Sequence, residues 1–201
     1  WGQAERAPDY WERSKDSTPF TLNPERSRQW DAGLALRSRE LDLTLSLFNA
    51  DIKDYLLYNS KSNKVRNIDA QTRGGELEGR WQFAEQWRLD GGLAVVYGEN
   101  RSDNKPLAQM PPLDGKLALG WQPDEALNFT LLGRAVAAQD RVDLWSGTVA
   151  GQDQGETPGF FTLNLSGAWQ FAKGWQLSAG VDNLFDTFYY EHLSKSVHAS
   201  Q

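Results

Sequence analysis

"LDLTLSLF", Leu41 to Phe48, decides the fold class. Leu41, Leu43, Leu45 and Leu47 share one parity, and Asp42, Thr44 and Ser46 share the other. Only an extended strand turns a period of two into one greasy face and one wet face. The pattern returns along the chain. Leu117, Leu119 and Trp121 alternate with Lys116, Ala118 and Gln122, and Leu127, Phe129 and Leu131 alternate with Asn128 and Thr130. It is clearest where Phe161, Leu163, Leu165, Gly167, Trp169 and Phe171 are interleaved with Thr162, Asn164, Ser166 and Gln170.

Strand length and connections narrow the architecture. A soluble sandwich uses strands of ~5 to 6 residues, whereas the patterned segments here run near 26–38, 40–59, 64–83, 86–98, 111–122, 126–139, 160–172 and 174–191. Long strands suit a membrane barrel, whose spanning part alone takes ~9 to 11 residues. Short turns fall at "RSRE" (Arg37 to Glu40), "AEQ" (Ala84 to Gln86), "PDEA" (Pro123 to Ala126) and "AKG" (Ala172 to Gly174). Longer polar connections fall between them, among them "RAPDYWERSKDSTPFTLNPE", "NSKSNK", "ENRSDNKPLAQMPP" and "QDRVDLWSGTVAGQDQGETPG". Tight turns at one end and long loops at the other are the asymmetry of a bacterial outer-membrane barrel. The expected fold is therefore all-β, an antiparallel transmembrane β-barrel.

Two near-repeats, "WQFAEQW" (Trp81 to Trp87) and "WQFAKGW" (Trp169 to Trp175), fit that reading. Trp81, Phe83 and Trp87 flank a short turn on the parity of Leu77 and Leu89. Trp169, Phe171 and Trp175 do the same at another turn, and Trp121 stands beside the turn between them. An indole at a strand end buries its ring in hydrocarbon and keeps its N–H at the headgroups, so these seven residues are the expected membrane girdle. Core aromatics of a soluble β-protein and carbohydrate-stacking platforms are the alternatives, and neither requires one parity and one end.

Composition removes other classes. The chain has 201 residues, 39% of them hydrophobic, with nine Trp, nine Phe and six Tyr. That is polar for a self-contained core and too aromatic for a disordered tail. The net charge of −6 carries no basic stripe, which argues against nucleic acid as a partner. There is no cysteine, so no disulfide and no thiolate chemistry. No run approaches the ~18 to 20 apolar residues of a membrane helix. Counting strand directions from the short turns gives eight strands plus a stub at Trp1 to Arg6. A barrel with an even strand number and both ends on the turn side needs at least one more strand. The expectation is a fragment of eight to nine strands that leaves two edges unpaired on its own.

Particular residues carry a family resemblance. "SAGVDNLFDTFYYEHL" (Ser178 to Leu193) resembles the penultimate strand of TonB-dependent receptors through Asn183, Leu184, Phe185, Asp186 and Tyr189. "LNPERSRQWDAGLAL" is similar to the family's Pro-Glu element before a strand opening with an acid and Gly, here Pro24, Glu25, Asp31 and Gly33. "SLFNADIKDYLLYN" and "NIDAQTRGGELEGRWQF" resemble the two strands that follow. The resemblance implies that residues 1–201 form the C-terminal part of a barrel of ~22 strands, with the plug domain, the energy-coupling box and the final strand outside it. It also implies a bacterial outer-membrane location and active uptake. The implied partners are outer-membrane lipid, the receptor's own plug domain, TonB through the N-terminal part, and a metal or metal-complex ligand.

"AERAPDYWER" and "YYEHLSKS" resemble the TonB-dependent copper receptors in particular, which makes a copper ion the expected cargo and leaves no resident cofactor. Ferric siderophores remain the alternative cargo, and a passive porin the alternative function, since Asp42, Glu78, Arg80, Arg88, Asp90, Lys116 and Arg134 would suit a wet lumen. Cu(II) takes imidazole and Cu(I) takes thioether, so the candidate metal contacts are His192, His198 and Met110. Packing is the competing role for Met110, and plain surface exposure for the histidines. An enzyme reading would use His192 with Ser194 or Asp186, but one strand end and its loop do not supply converging groups.

Overall fold

A computed structural model describes residues 1–15, 21–148 and 150–194. Its elements are β1 (Gly2–Arg6), α1 (Tyr10–Ser14), β2 (Glu25–Arg37), β3 (Leu41–Asn59), β4 (Lys64–Ala84), β5 (Trp87–Asn100), β6 (Lys105–Pro106), β7 (Asp114–Trp121), β8 (Leu127–Val136), β9 (Ser146–Gly147), β10 (Phe160–Ala172) and β11 (Trp175–Val181). They form one antiparallel sheet ordered β1-β2-β3-β4-β5-β7-β8-β10-β11, with β6 beside β5 and β9 beside β3. The sheet is open, and β1 and β11 are its edges.

Register converts the alternation of each strand into rows across the sheet. Leu34 pairs with Leu45, Leu45 with Leu77, and Leu77 with Leu93. One residue along, Asp42 pairs with Arg80 and Arg80 with Asp90. A slip of one residue would exchange these faces. The residues on the parity of Leu45 between positions 43 and 47, 75 and 79, 91 and 95, 115 and 119, 131 and 135, and 163 and 167 are all Leu, Gly, Val or Ala. Glycines there give room to cross-strand leucines: a Cβ on Gly79 would meet Leu43 Cδ1 at 3.1 Å, and one on Gly75 would meet Leu47 Cδ2 at 2.7 Å.

The interior of this chain lies at the loop end. At 19 and 21 residues, β3 and β4 run ~60 to 70 Å, well beyond a ~30 Å hydrocarbon layer. A bulge between Ile52 and Tyr55, with Asp54 at φ 56°, shifts the register of β3 by one. Beyond it the polar face turns apolar: Leu57, Ile68 and Ala70 pack with Leu107, and Ile52, Tyr55 and Met110 join them. On the other face Tyr58 meets Trp11 of α1 edge-on at 4.9 Å, and Val65 donates its N–H to the Lys15 carbonyl.

Several expected boundaries move, each for a physical reason. The "NSKSNK" connection is a four-residue turn between very long strands rather than a long loop. The 111–122 segment starts as strand only at Asp114, because Pro111 and Pro112 have no N–H to give a ladder. The 126–139 segment stops at Val136. The last segment ends at Val181, ten residues before Glu191. Asn183 and Asp186 both take positive φ, at 51° and 49°. The Asn183 side chain accepts from the Thr187 N–H and donates to the Thr187 carbonyl, both at 3.0 Å, closing a turn where a ladder would have continued. Asn and Asp tolerate this conformation better than other non-glycine residues, so the "NLFD" motif acts here as a strand terminator. The first loop contains an unexpected helix, α1, started by a capping box in which Asp9 Oδ1 accepts from the Glu12 N–H and Glu12 Oε2 from the Asp9 N–H.

Candidate functional site

The polar face is a charged wall. Asp42, Thr44, Glu78, Arg80, Asp90 and Lys116 line an open trough of about 440 Å³. Asp90 gathers two guanidinium groups, accepting from Arg80 Nε at 2.6 Å and from Arg88 Nε at 2.7 Å. Higher on the same face, Arg134 Nη2 donates to Asp114 at 2.6 Å and to Glu191 at 3.2 Å. It also lies 5.3 Å over the Phe160 ring, which stacks on Tyr189 at 4.2 Å. The segment after β11 therefore folds back against this face rather than extending the sheet.

That return path ends in a clasp joining three loops. Asp153 Oδ1 accepts from the Gln109 N–H at 2.9 Å and from Gln109 Nε2 at 3.1 Å, while Oδ2 accepts from the Asp143 N–H at 2.9 Å. His192 Nδ1 shares a 3.1 Å hydrogen bond with Thr157 Oγ1, and its Nε2 lies 3.7 Å from Asp153 Oδ1. The side chains of His192 and Asp153 are 2% and 0% exposed. Burial acts to raise the Asp153 pKa, but the His192 imidazole and the donors from Asp143 and Gln109 outweigh it and hold the carboxyl below its ordinary range. Thr157, His192 and Asp153 have the connectivity of a nucleophile relay, yet imidazole and carboxylate are sealed from any substrate.

The candidate metal contacts do not come together. His192 sits in the clasp, Met110 packs at the edge of the Leu57 core, and His198 lies outside the described residues. A Cβ on Gly98 would come within 2.5 Å of the Met110 sulfur, so the thioether fills the space that this glycine leaves. Among the described residues no group of three or more His, Cys, Asp or Glu is placed to hold a metal ion.

The seven candidate girdle residues fall into two runs of ring contacts. Ring centroids of Trp81 and Phe83 are 5.4 Å apart, Phe83 and Trp87 6.4 Å, and Trp87 and Trp121 5.6 Å. Trp169, Phe171 and Trp175 form a second run at 5.6 and 6.4 Å. Phe129 extends the first run, 5.7 Å from Trp121. It shares their parity and their place after a turn, but it lacks the Trp-x-Phe spacing that marks the others in the sequence. At the opposite border another row crosses the sheet, with Trp30 paired to Asn49, Asn49 to Arg73 and Arg73 to Tyr97. Phe83 and Arg73 lie ten residues apart on β4, ~34 Å along the strand and ~26 Å in height at the usual tilt. An apolar band of ~25 Å between two amphipathic borders is what a barrel wall presents to lipid.

A TonB dependent receptor-like β-barrel model matches residues 1–184. The chain belongs to the TonB-dependent receptor family. Its apolar face is thus the lipid side of a barrel and its polar face the lumen. The metal-pseudopaline receptor CntO of Pseudomonas aeruginosa is 29% identical over 195 residues, covering 90% of this chain and 27% of CntO. The pesticin receptor of Yersinia pestis is 26% identical, covering 92% of this chain and 28% of that protein. The solved copper transporter OprC superposes with a TM-score of 0.88 at 36% identity, covering 96% of this chain and 31% of OprC. The chain thus spans about a third or less of the length of these relatives. The family is one of outer-membrane transport receptors.

Proposed function

We propose that this chain is the C-terminal part of the wall of a bacterial outer-membrane receptor that imports copper by TonB-coupled transport. The observation that carries the cargo is the likeness to the copper transporter OprC, at 36% identity over 96% of the chain. In this reading the plug domain sits against the luminal wall of Arg80, Asp90 and Lys116, and Trp81, Phe83, Trp87, Trp121, Trp169, Phe171 and Trp175 form the girdle at the periplasmic border. Loops on the other side capture the ion, with His192 and His198 as the imidazoles this chain offers and Met110 in a packing role against Gly98.

A second reading, uptake of a metal held by a small chelator, is favoured by the likeness to CntO, a metal-pseudopaline receptor. A passive porin is the third. The test expresses the full-length receptor in a strain lacking its own copper receptor and measures cell-associated copper with and without TonB. TonB-dependent copper accumulation supports the first reading. Growth rescue by a ferric siderophore with no copper effect overturns the cargo, and steady conductance of the purified receptor in planar bilayers overturns active uptake. Replacing His192 and His198 together by Ala should weaken copper accumulation, and Met110→Leu should leave it unchanged. An unaltered double variant removes these histidines from the site.

A further inference from the structure

Most of the apolar face is a leucine surface, but small outward residues leave a trough across β7 and β8. Gly115, Gly133 and Ala135 form its floor, Leu93, Leu131 and Phe161 stand among its walls, and it encloses about 480 Å³. Beyond it, Val95 of β5, Leu113 just before β7 and Ala137 just after β8 line a slot of about 230 Å³ together with Met110, Gln139 and Asp140. The slot exists because β7 starts only at Asp114, so the upper part of β5 has no β7 partner. Leu131 in the trough and Ala137 in the slot are six residues apart, ~20 Å along the strand direction and about the length of an extended acyl chain.

The upper end of the slot carries Arg141 beside Asp140. Arg141 Cζ lies 5.3 Å over the Tyr97 ring, and Nη2 donates to the Gly98 carbonyl at 3.4 Å. Arg141 has no ion pair among the described residues. Asp140 also lines the slot, and Arg73, the cross-strand partner of Tyr97, is held by Glu99 at 3.7 Å. Arg141 is thus the guanidinium left to meet an external anion. It stands over the Tyr97 ring of the border row, above a trough whose lining, Lys116 apart, is entirely apolar.

We propose that the trough and slot hold one acyl chain of a phosphate-bearing lipid whose headgroup is taken by Arg141. The proposal rests on the membrane-barrel reading. A guanidinium presents paired N–H donors that match a phosphate, and the aromatic ring beneath it fixes its plane. A plain leucine surface would contact lipids without choosing among them, whereas a groove ending at a half-buried guanidinium with no ion pair among the described residues selects by headgroup.

The test uses the full-length receptor in detergent, titrated with palmitoyl-oleoyl phosphatidylglycerol or with the phosphatidylcholine of identical chains and read by native mass spectrometry. Phosphatidylglycerol should be retained about tenfold better, the effect of one charge-assisted contact. Arg141→Gln should remove that preference. Ala135→Phe, at an exposed position that fills the trough, should lower retention of both lipids, and inorganic phosphate should not compete. Equal retention of the two lipids by the unaltered receptor overturns the proposal, as does an Arg141→Gln variant that keeps the preference. Dimers in place of lipid adducts would overturn it too, giving the trough to a second copy. Insertion into vesicles, followed by circular dichroism, separates this outcome from failure of the barrel reading: a receptor that inserts without a headgroup preference loses only the lipid site.

Discussion

Along β3 the same apolar residue type meets two opposite environments. Leu43 and Leu47 stand 36% and 50% exposed on the apolar face, whereas Leu56 and Leu57, beyond the bulge, are 2% and 3% exposed. Alternation records a contrast between faces and is silent about what covers the apolar one. In the lower half the cover is hydrocarbon. In the upper half it is protein, because loops carrying Leu107, Trp11 and Lys15 close over both faces of the β3–β4 hairpin.

This contrast predicts unequal costs for the same truncation. Leu57→Ala should destabilise by ~2 to 5 kcal/mol, since the packed loop end cannot refill the cavity. Leu47→Ala should cost only ~1 to 2 kcal/mol, because lipid fills the space and only transfer energy is lost. Urea unfolding of the receptor refolded into vesicles measures both. Equal losses would mean that the two halves are covered alike.

Charge sharpens the comparison within the lower half. Leu45→Arg or Leu165→Arg places a cation in mid-band and should cost ~2 to 4 kcal/mol. Ser46→Arg or Ser166→Arg, one residue along and facing the lumen, should cost far less. A thermal shift series on the four variants in one bilayer decides it, and matched penalties at the two parities would break the assignment of faces.

The band was legible because its physics is local and periodic. Leu41 to Leu47 alternate within eight residues, and the Trp-x-Phe repeats name their own border. The loop end was not legible, because its determinants are distant in sequence. Asp153 meets Gln109 from 44 residues away, and Arg134 meets Glu191 from 57. The bulge that turns the polar face apolar hangs on one residue, Asp54, whose side chain gives no periodic warning. The helix at Tyr10 to Ser14 could have been found, since Asp9 and Glu12 spell a capping box. "NLFD" reads as strand because it follows a perfect alternation, although an Asn that bonds its own backbone four residues on ends a strand.

The smallest expected effect lies in the clasp, the polar counterpart of the Leu57 core. The Asp153 carboxyl sits below its ordinary value of 3.8 in the fold, so the folded state binds fewer protons than the unfolded state as pH falls through that range. Its contribution is complete above the unfolded value and is lost as pH drops through the lower folded value. The loop end should therefore keep its protection down to pH ~4 and loosen only in stronger acid. Asp153→Asn keeps the shape but cannot accept from all three donors as a carboxylate does, and should cost ~1 to 3 kcal/mol at neutral pH. Amide exchange at Gln109 and Asp143, the two backbone donors, reads this directly. Both should exchange faster in the variant while amides of the lower β4–β5 ladder stay unchanged. Faster exchange throughout the sheet would show that clasp and band form one cooperative unit, and would end the division drawn between them.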